Sequence, residues 1–316
     1  MDNAGETPQD ATAQEIRGIA AKAIRNGMDT CVNLLTNEIL RAMYTPEVMQ
    51  YLGDGIIGYI AAAGALAFSA KEITPDGITA LIRAAGQEPK EQYLRAVTML
   101  QYKNELVYIN AIYFIKANGK EPTIDLVAEM VRAMGIPPDH RIAGYAIEYS
   151  REYLSGAYNF VSERLNQGGT DEKFFKKLYL GMLNLAGDLS GLAVSELGNT
   201  IEAASERAKL TPEALPYITA IGSLAFAGQE MSTDKVKSMI AALGMQASEQ
   251  MLKAFAPIRF KNPIVYLIAL YYLYSMDLTL DVDSTCRVVV AMGIAPDTVM
   301  AEGVLAYYKS KGAEHI

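Results

Sequence analysis

Two cysteines and two histidines are all that this chain of 316 residues offers to thiol, metal or imidazole chemistry. Cys31 and Cys286 lie far apart in the sequence, so neither a disulfide framework nor a zinc site is supported, and a reducing cytoplasmic setting fits better. His315 is next to the last residue, and His140 stands where sister segments carry Glu91, Glu249 and Thr298, a variable surface position. Positive charge is in deficit as well. Lys and Arg number 28 against 36 Asp and Glu, a net charge of −8, so bulk charge gives no attraction to nucleic acid. The uncharged runs Ile56–Ala70 and Ile264–Met276 fall short of the roughly 20 residues that cross a bilayer and read as buried core helices. Nor does any stretch read as a strand, so no glycine-rich phosphate loop follows one; nucleophile elbows, paired-Cys motifs and zinc-binding His pairs are missing too. The expectation is a protein that is not an enzyme and has no catalytic, cofactor-binding or metal residues.

What the chain does contain is one segment four times. Tyr59–Gly86, Tyr108–Gly135, Tyr217–Gly244 and Tyr266–Gly293 each run 27 positions from opening Tyr to closing Gly. Each copy opens with an apolar helix, whose face in the first copy is Tyr59, Ile60, Ala63, Leu66 and Ala67. A start signal follows: Thr74, Thr123, Ser232 and Asp281 are all N-cap types, with Asp76, Asp125, Asp234 and Asp283 two residues on. Four acidic residues at one position look like a site, but a carboxylate in a first helical turn is better explained by capping. Glu72, Glu121 and Glu230, just before the caps, read as solvated loop residues. The second helix carries Ile78, Leu81, Ile82 and Ala85 and stops at the Gly, the usual left-handed terminator. A third helix runs through Tyr93, Leu94 and Val97, or Met251, Leu252 and Phe255 in the third copy. A module of about 45 residues is too small to bury a good core, so it should pack against a sister copy.

Copies one and two are offset by 49 positions, as are three and four; copies one and three are offset by 158, as are two and four. The expected architecture is therefore all-α, a pair of modules duplicated once. The first half, 1–165, has leading helices in 11–55 and modules 56–103 and 105–153. The second, 166–316, has leading helices in 171–213 and modules 214–260 and 263–311. The turn-like run Asn166–Asp171 marks the boundary. Residues 11–25 and 29–43 read as two amphipathic helices and 188–208 as a longer one; the pattern around Asp29 and Asp188 extends the duplication into the leading segments. Residues 1–10 are polar, without the basic start of a signal peptide. Each half is expected to pack its two modules together as an intramolecular pseudo-dimer.

Tyrosines number 19, open every copy and cluster from Tyr266 to Tyr274. An amphipathic ring suits either a core edge or an interface. Tyr59, Tyr108, Tyr217 and Tyr266 are the candidate partner-binding residues.

The pattern Tyr-Ile-x-Ala, an apolar helix, Glu-Ile-Thr-x-Asp-x-Ile, Leu-Ile-x-Ala-Ala-Gly and Glu-x-x-Leu-x-Ala resembles the N-terminal helical domain of archaeal and eukaryotic acidic ribosomal stalk proteins. Segments 59–96 and 217–254 match best, with Glu72, Ile73, Thr74, Asp76, Ile78, Ala84, Ala85 and Gly86 at the family's positions; Pro122 and Thr279 break the loop pattern in the other two copies. The resemblance implies helical domains that dimerise and clasp helices of a stalk base protein. The sequence shows no Ala/Glu-rich hinge or acidic tail peptide, so recruitment of translational GTPases is not carried over. The expected function is a helical protein–protein interaction protein associated with the ribosome or translation, binding a helical segment of a partner such as the stalk base. No direct nucleic-acid or membrane partner is expected. The alternatives are a structural, self-assembling homo-oligomer and, behind it, a helical-bundle small-ligand binder or enzyme.

Overall fold

A computed structural model describes residues 8–43, 48, 50–51, 55–98, 105–154, 188, 192, 195, 198–199, 202, 211–227, 229, 231–256 and 263–310. Among these every regular element is helical. Helix α1 is Pro8–Met43. Copy one supplies α2 (Ile57–Phe68), α3 (Pro75–Ala84) and α4 (Glu91–Thr98). Copy two supplies α5 (Glu105–Ala117), α6 (Ile124–Ala133) and α7 (His140–Leu154). A single 3-10 turn, Pro212–Ala214, leads into copy three, with α8 (Leu215–Phe226), α9 (Thr233–Ala242) and α10 (Glu249–Phe255). Copy four holds α11 (Pro263–Ser275), α12 (Val282–Ala291) and α13 (Thr298–Ser310).

The four copies start and stop their second helices at equivalent residues, for reasons visible in each. The side chains of Thr74, Thr123, Ser232 and Asp281 accept from the backbone N–H three residues on, at 3.1, 3.2, 3.2 and 2.7 Å. Each thus satisfies one of the donors a helix start leaves open. Asp76, Asp125, Asp234 and Asp283 follow in the first turns, all exposed, on four separate modules. At the far end Gly86, Gly135, Gly244 and Gly293 take φ of +75°, +90°, +74° and +75°. The next residue's N–H reaches back to Ile82, Val131, Ile240 and Val289 carbonyls, closing the helix with the paired bonds that a left-handed residue permits.

The first helix of each copy is more deeply buried than a one-sided apolar face requires. In α5 every residue from Leu106 to Ile115 is buried, and α2, α8 and α11 are nearly the same. A helix apolar all round needs cover on every side. In copy one that cover comes from α3 and α4 and from α11 of copy four.

That last contact departs from the expected halves. The chain divides into two compact units. The inner unit, so named for its place along the chain, joins copies two and three with α1 up to residue 28; α6 packs on α9. The outer unit joins copies one and four with α1 from residue 29; α2 packs on α11 and α3 on α12. Modules do pair, as their small size demands, but the pairing is crossed: each unit takes one module from each half. The proposed boundary at 166–171 lies outside the described residues.

The leading segment also differs. Instead of two helices, α1 is continuous through Asn26-Gly27-Met28. Gly27 is buried against the Tyr113 ring, where an added Cβ would stand 3.5 Å from it, so the close approach of the ring offsets the usual helix-weakening effect of glycine. On α1, Ile16, Ala20, Thr30, Cys31 and Leu34 are buried while Ile19 stays 37% exposed. Residues 188, 192, 195, 198, 199 and 202 are helical; the rest of the expected helix over 188–208 lies outside the described residues. No helix among the described residues is long and apolar enough to cross a membrane.

Candidate functional site

Tyr59, Tyr108, Tyr217 and Tyr266 are not surface residues. Their relative exposures are 3, 3, 4 and 5%. Each hydroxyl oxygen accepts a hydrogen bond from the backbone N–H 31 residues on: Lys90 at 2.5 Å, Asp139 at 2.7 Å, Ser248 at 2.6 Å and Asp297 at 2.6 Å. The donor sits just ahead of α4, α7, α10 and α13 in turn, where a backbone N–H has no helical partner. One tyrosine per module therefore pins the third helix to the first. This intramolecular latch replaces the partner-binding role expected of these four side chains, since buried rings with engaged hydroxyls present no surface. Ring contacts reinforce two of the latches: Tyr59 meets Tyr93 edge-on at 5.2 Å, and Tyr217 stacks on Phe255 at 5.8 Å.

Polar groups are buried between elements in both units. In the inner unit a cavity of about 20 Å³ opens between α1, α5 and α8. It is lined by Ala23 and Gly27, by Asn110, Tyr113 and Phe114, and by Thr219, Ser223 and Phe226 among others. That volume suits one water molecule. Asn110 is 6% exposed and its side-chain Nδ2 has no hydrogen-bond partner among the described residues. Beside it, Asn118 Nδ2 donates to Thr219 Oγ1 across the module pair at 3.1 Å, and to its own helix at Phe114 O at 2.8 Å. Thr219 donates in turn to Leu215 O at 2.8 Å.

In the outer unit the polar group is Asp188, 3% exposed, whose Oδ2 accepts from the Tyr271 hydroxyl at 2.9 Å. Tyr308 stands edge-on to Tyr271 at 5.5 Å, with its own buried hydroxyl unpartnered among the described residues. Burial, and after it the Asp188 charge, pushes the Tyr271 hydroxyl well above its ordinary range. Burial likewise raises Tyr308 and Tyr272. A carboxylate held by such a hydroxyl is a fixed structural anchor: the neutral phenol is the form that donates, and its surroundings keep it neutral.

Tyr113 and Tyr271 occupy the same position in copies two and four, where copies one and three have Gly64 and Gly222. Both touch a leading segment, Tyr113 through Gly27 and Tyr271 through Asp188. This alternation of Tyr and Gly was the signal that could have found them.

Neither thiol is shifted toward the thiolate. Burial drives Cys31 far up, and Cys286 is raised by burial and then by Asp283 and Asp297. His140 is 59% exposed and lies 3.8 Å from Asp125 at the start of α7. Of the loop carboxylates, Glu72 and Glu121 are exposed and Glu230 lies outside the described residues. Among the described residues no three His, Cys, Asp or Glu side chains gather to hold a metal. Module two does expose an apolar spot: Ile124 is 45% and Tyr145 38% exposed, with Gly144 under the Ile124 side chain. Sister copies carry Arg95, Lys253 and Glu302 in place of Gly144. Compared with protein-family models, curated proteins and solved structures, the chain finds no match.

Proposed function

We propose that this chain is a non-enzymatic interaction scaffold in which paired helical modules clasp helices, in the manner of the stalk proteins that copies one and three resemble. The observation carrying this reading is that each module pair already holds a helical segment from outside itself. In the inner unit α1 lies against α5 and α8 at the cavity. In the outer unit helical Asp188 is held by Tyr271. A partner helix is recognised by an apolar surface of the same kind, and Ile124, Gly144 and Tyr145 supply one on module two, where sister copies place a charge. A ribosome or its stalk base is the partner class that the resemblance suggests, in a reducing cytoplasmic setting.

The test is cosedimentation of the full chain with ribosomes and with isolated stalk base protein, comparing wild type with Tyr145→Asp. Binding that weakens on placing a charge in this apolar spot supports the reading. A protein that moves with neither, at any salt concentration, contradicts it. The second reading is self-assembly, and the crossed pairing favours it: a module can take its partner from another copy of the chain, as in domain swapping. Mass measurement across concentrations separates the two, since only assembly gives a growing oligomer without added partner.

A further inference from the structure

Crossed pairing needs a cause, because all four modules carry the same three helices and the same tyrosine latch, and a chain that could pair neighbours would do so with less loop to close. The cause lies where the end of one first helix meets the start of another. In the outer unit the Met276 side chain, just past the end of α11, fills the space over Gly58 at the start of α2. A Cβ added at Gly58 would lie 2.6 Å from the Met276 methyl carbon, inside any real contact. In the inner unit the residue equivalent to Met276 is Asn118, and it meets the start of α8, where Thr219 accepts its amide. One unit uses a thioether in a notch, the other an amide on a hydroxyl.

Neither key fits the other lock. The counterpart of Gly58 in copy three is Pro216, with ring carbons where the notch would be. Copy four placed on copy three would drive Met276 into Pro216 and leave Thr219 without the amide. The counterpart of Thr219 in copy one is Ala61, which has no hydroxyl. Copy two placed on copy one would set Asn118 over an unfilled notch with no cross-module acceptor. The pairing of neighbours along the chain is thus penalised in both halves at once. Losing a hydrogen bond or overfilling a contact of this kind shifts a pairing equilibrium by about tenfold.

We infer that Gly58 with Met276, and Thr219 with Asn118, form a recognition code that tells each first helix which sister module to accept and which to reject. The code works by mismatch as much as by match, as specific interfaces do.

Hydrogen exchange on the full-length chain tests it, with protection followed separately in α2 and α11 and in α5 and α8. Met276→Asn alone takes the thioether out of the Gly58 notch and supplies no key that copy one can use. The code predicts α2 protection falling about tenfold or more. Wild-type protection in α2 would overturn it. Because an altered key can unsettle any core, a second comparison is made at Ala61. Ala61→Thr lowers α2 protection in the wild-type chain, where Met276 cannot use the hydroxyl, and raises it in the Met276→Asn chain, where the amide can. An effect of the same sign in both backgrounds would show that these residues fill space without selecting partners, and the inference would fail.

Discussion

The inner and outer units are assembled from the same parts, one module from each half and a stretch of α1, yet they bury different chemistry. Between its first helices the outer unit packs α2 closely on α11, with Met276 seated over Gly58. At the equivalent place the inner unit sets α5 and α8 around a cavity and leaves the Asn110 amide donor unpartnered among the described residues. The equivalent of Asn110 in copy four is Ile268, 2% exposed. Between their first helices, one repeat thus yields a close contact in the outer unit and a small cavity with polar lining in the inner one. The difference teaches that helix boundaries are set by local caps and glycines, whereas tightness is set by a few residues on the buried side of the first helix.

The comparison breaks most sharply at Phe114, 2% exposed and part of the cavity wall. Phe114→Ala enlarges a space already present and should cost about 3–5 kcal/mol. Denaturant unfolding followed by exchange should show α5 and α8 opening while α2 and α11 stay protected; equal loss in both units would mean they do not behave as separate packing units. An effect of opposite sign comes from Asn110→Ile, which gives the inner unit the residue of copy four. Removing a buried donor without a partner and filling the cavity should stabilise by about 1–2 kcal/mol, read as a rise in Tm of the inner unit. A fall would mean the amide has a partner that matters.

A smaller and graded difference should show at high pH. Burial, as the main cause, raises Tyr266, Tyr271, Tyr272 and Tyr308 in the outer unit above the ordinary tyrosine value. The folded outer unit then keeps protons that the unfolded chain releases, so their contribution is whole below about pH 10 and declines as pH rises beyond it. Phenolate absorbance and helical circular dichroism should change together there, and Tyr272→Phe, which removes a hydroxyl without a partner among the described residues, should move the midpoint upward. Phenolate appearing with helicity intact would contradict the assignment.

Much of this architecture was legible in the residues. Thr74, Thr123, Ser232 and Asp281 announced the second helices and Gly86, Gly135, Gly244 and Gly293 their ends, because caps and left-handed terminators act within a few residues. The opening tyrosines were visible but not their role, since the N–H that each hydroxyl meets lies 31 residues away. Pairing was hidden for a like reason. Nearness along the chain favoured neighbours, and the contrary information sits in single residues such as Gly58 and Asn118 that gain meaning only face to face. The continuity of α1 through Gly27 likewise depends on a ring, Tyr113, that local propensity cannot see.

The crossed pairing itself can be read directly by placing a photoreactive diazirine side chain at position 276 of the full-length protein and locating the cross-linked peptide by mass spectrometry. Attachment within Ile57–Phe68 of copy one is the predicted result. Attachment within Leu215–Phe226 of copy three, the neighbour along the chain, would contradict the account.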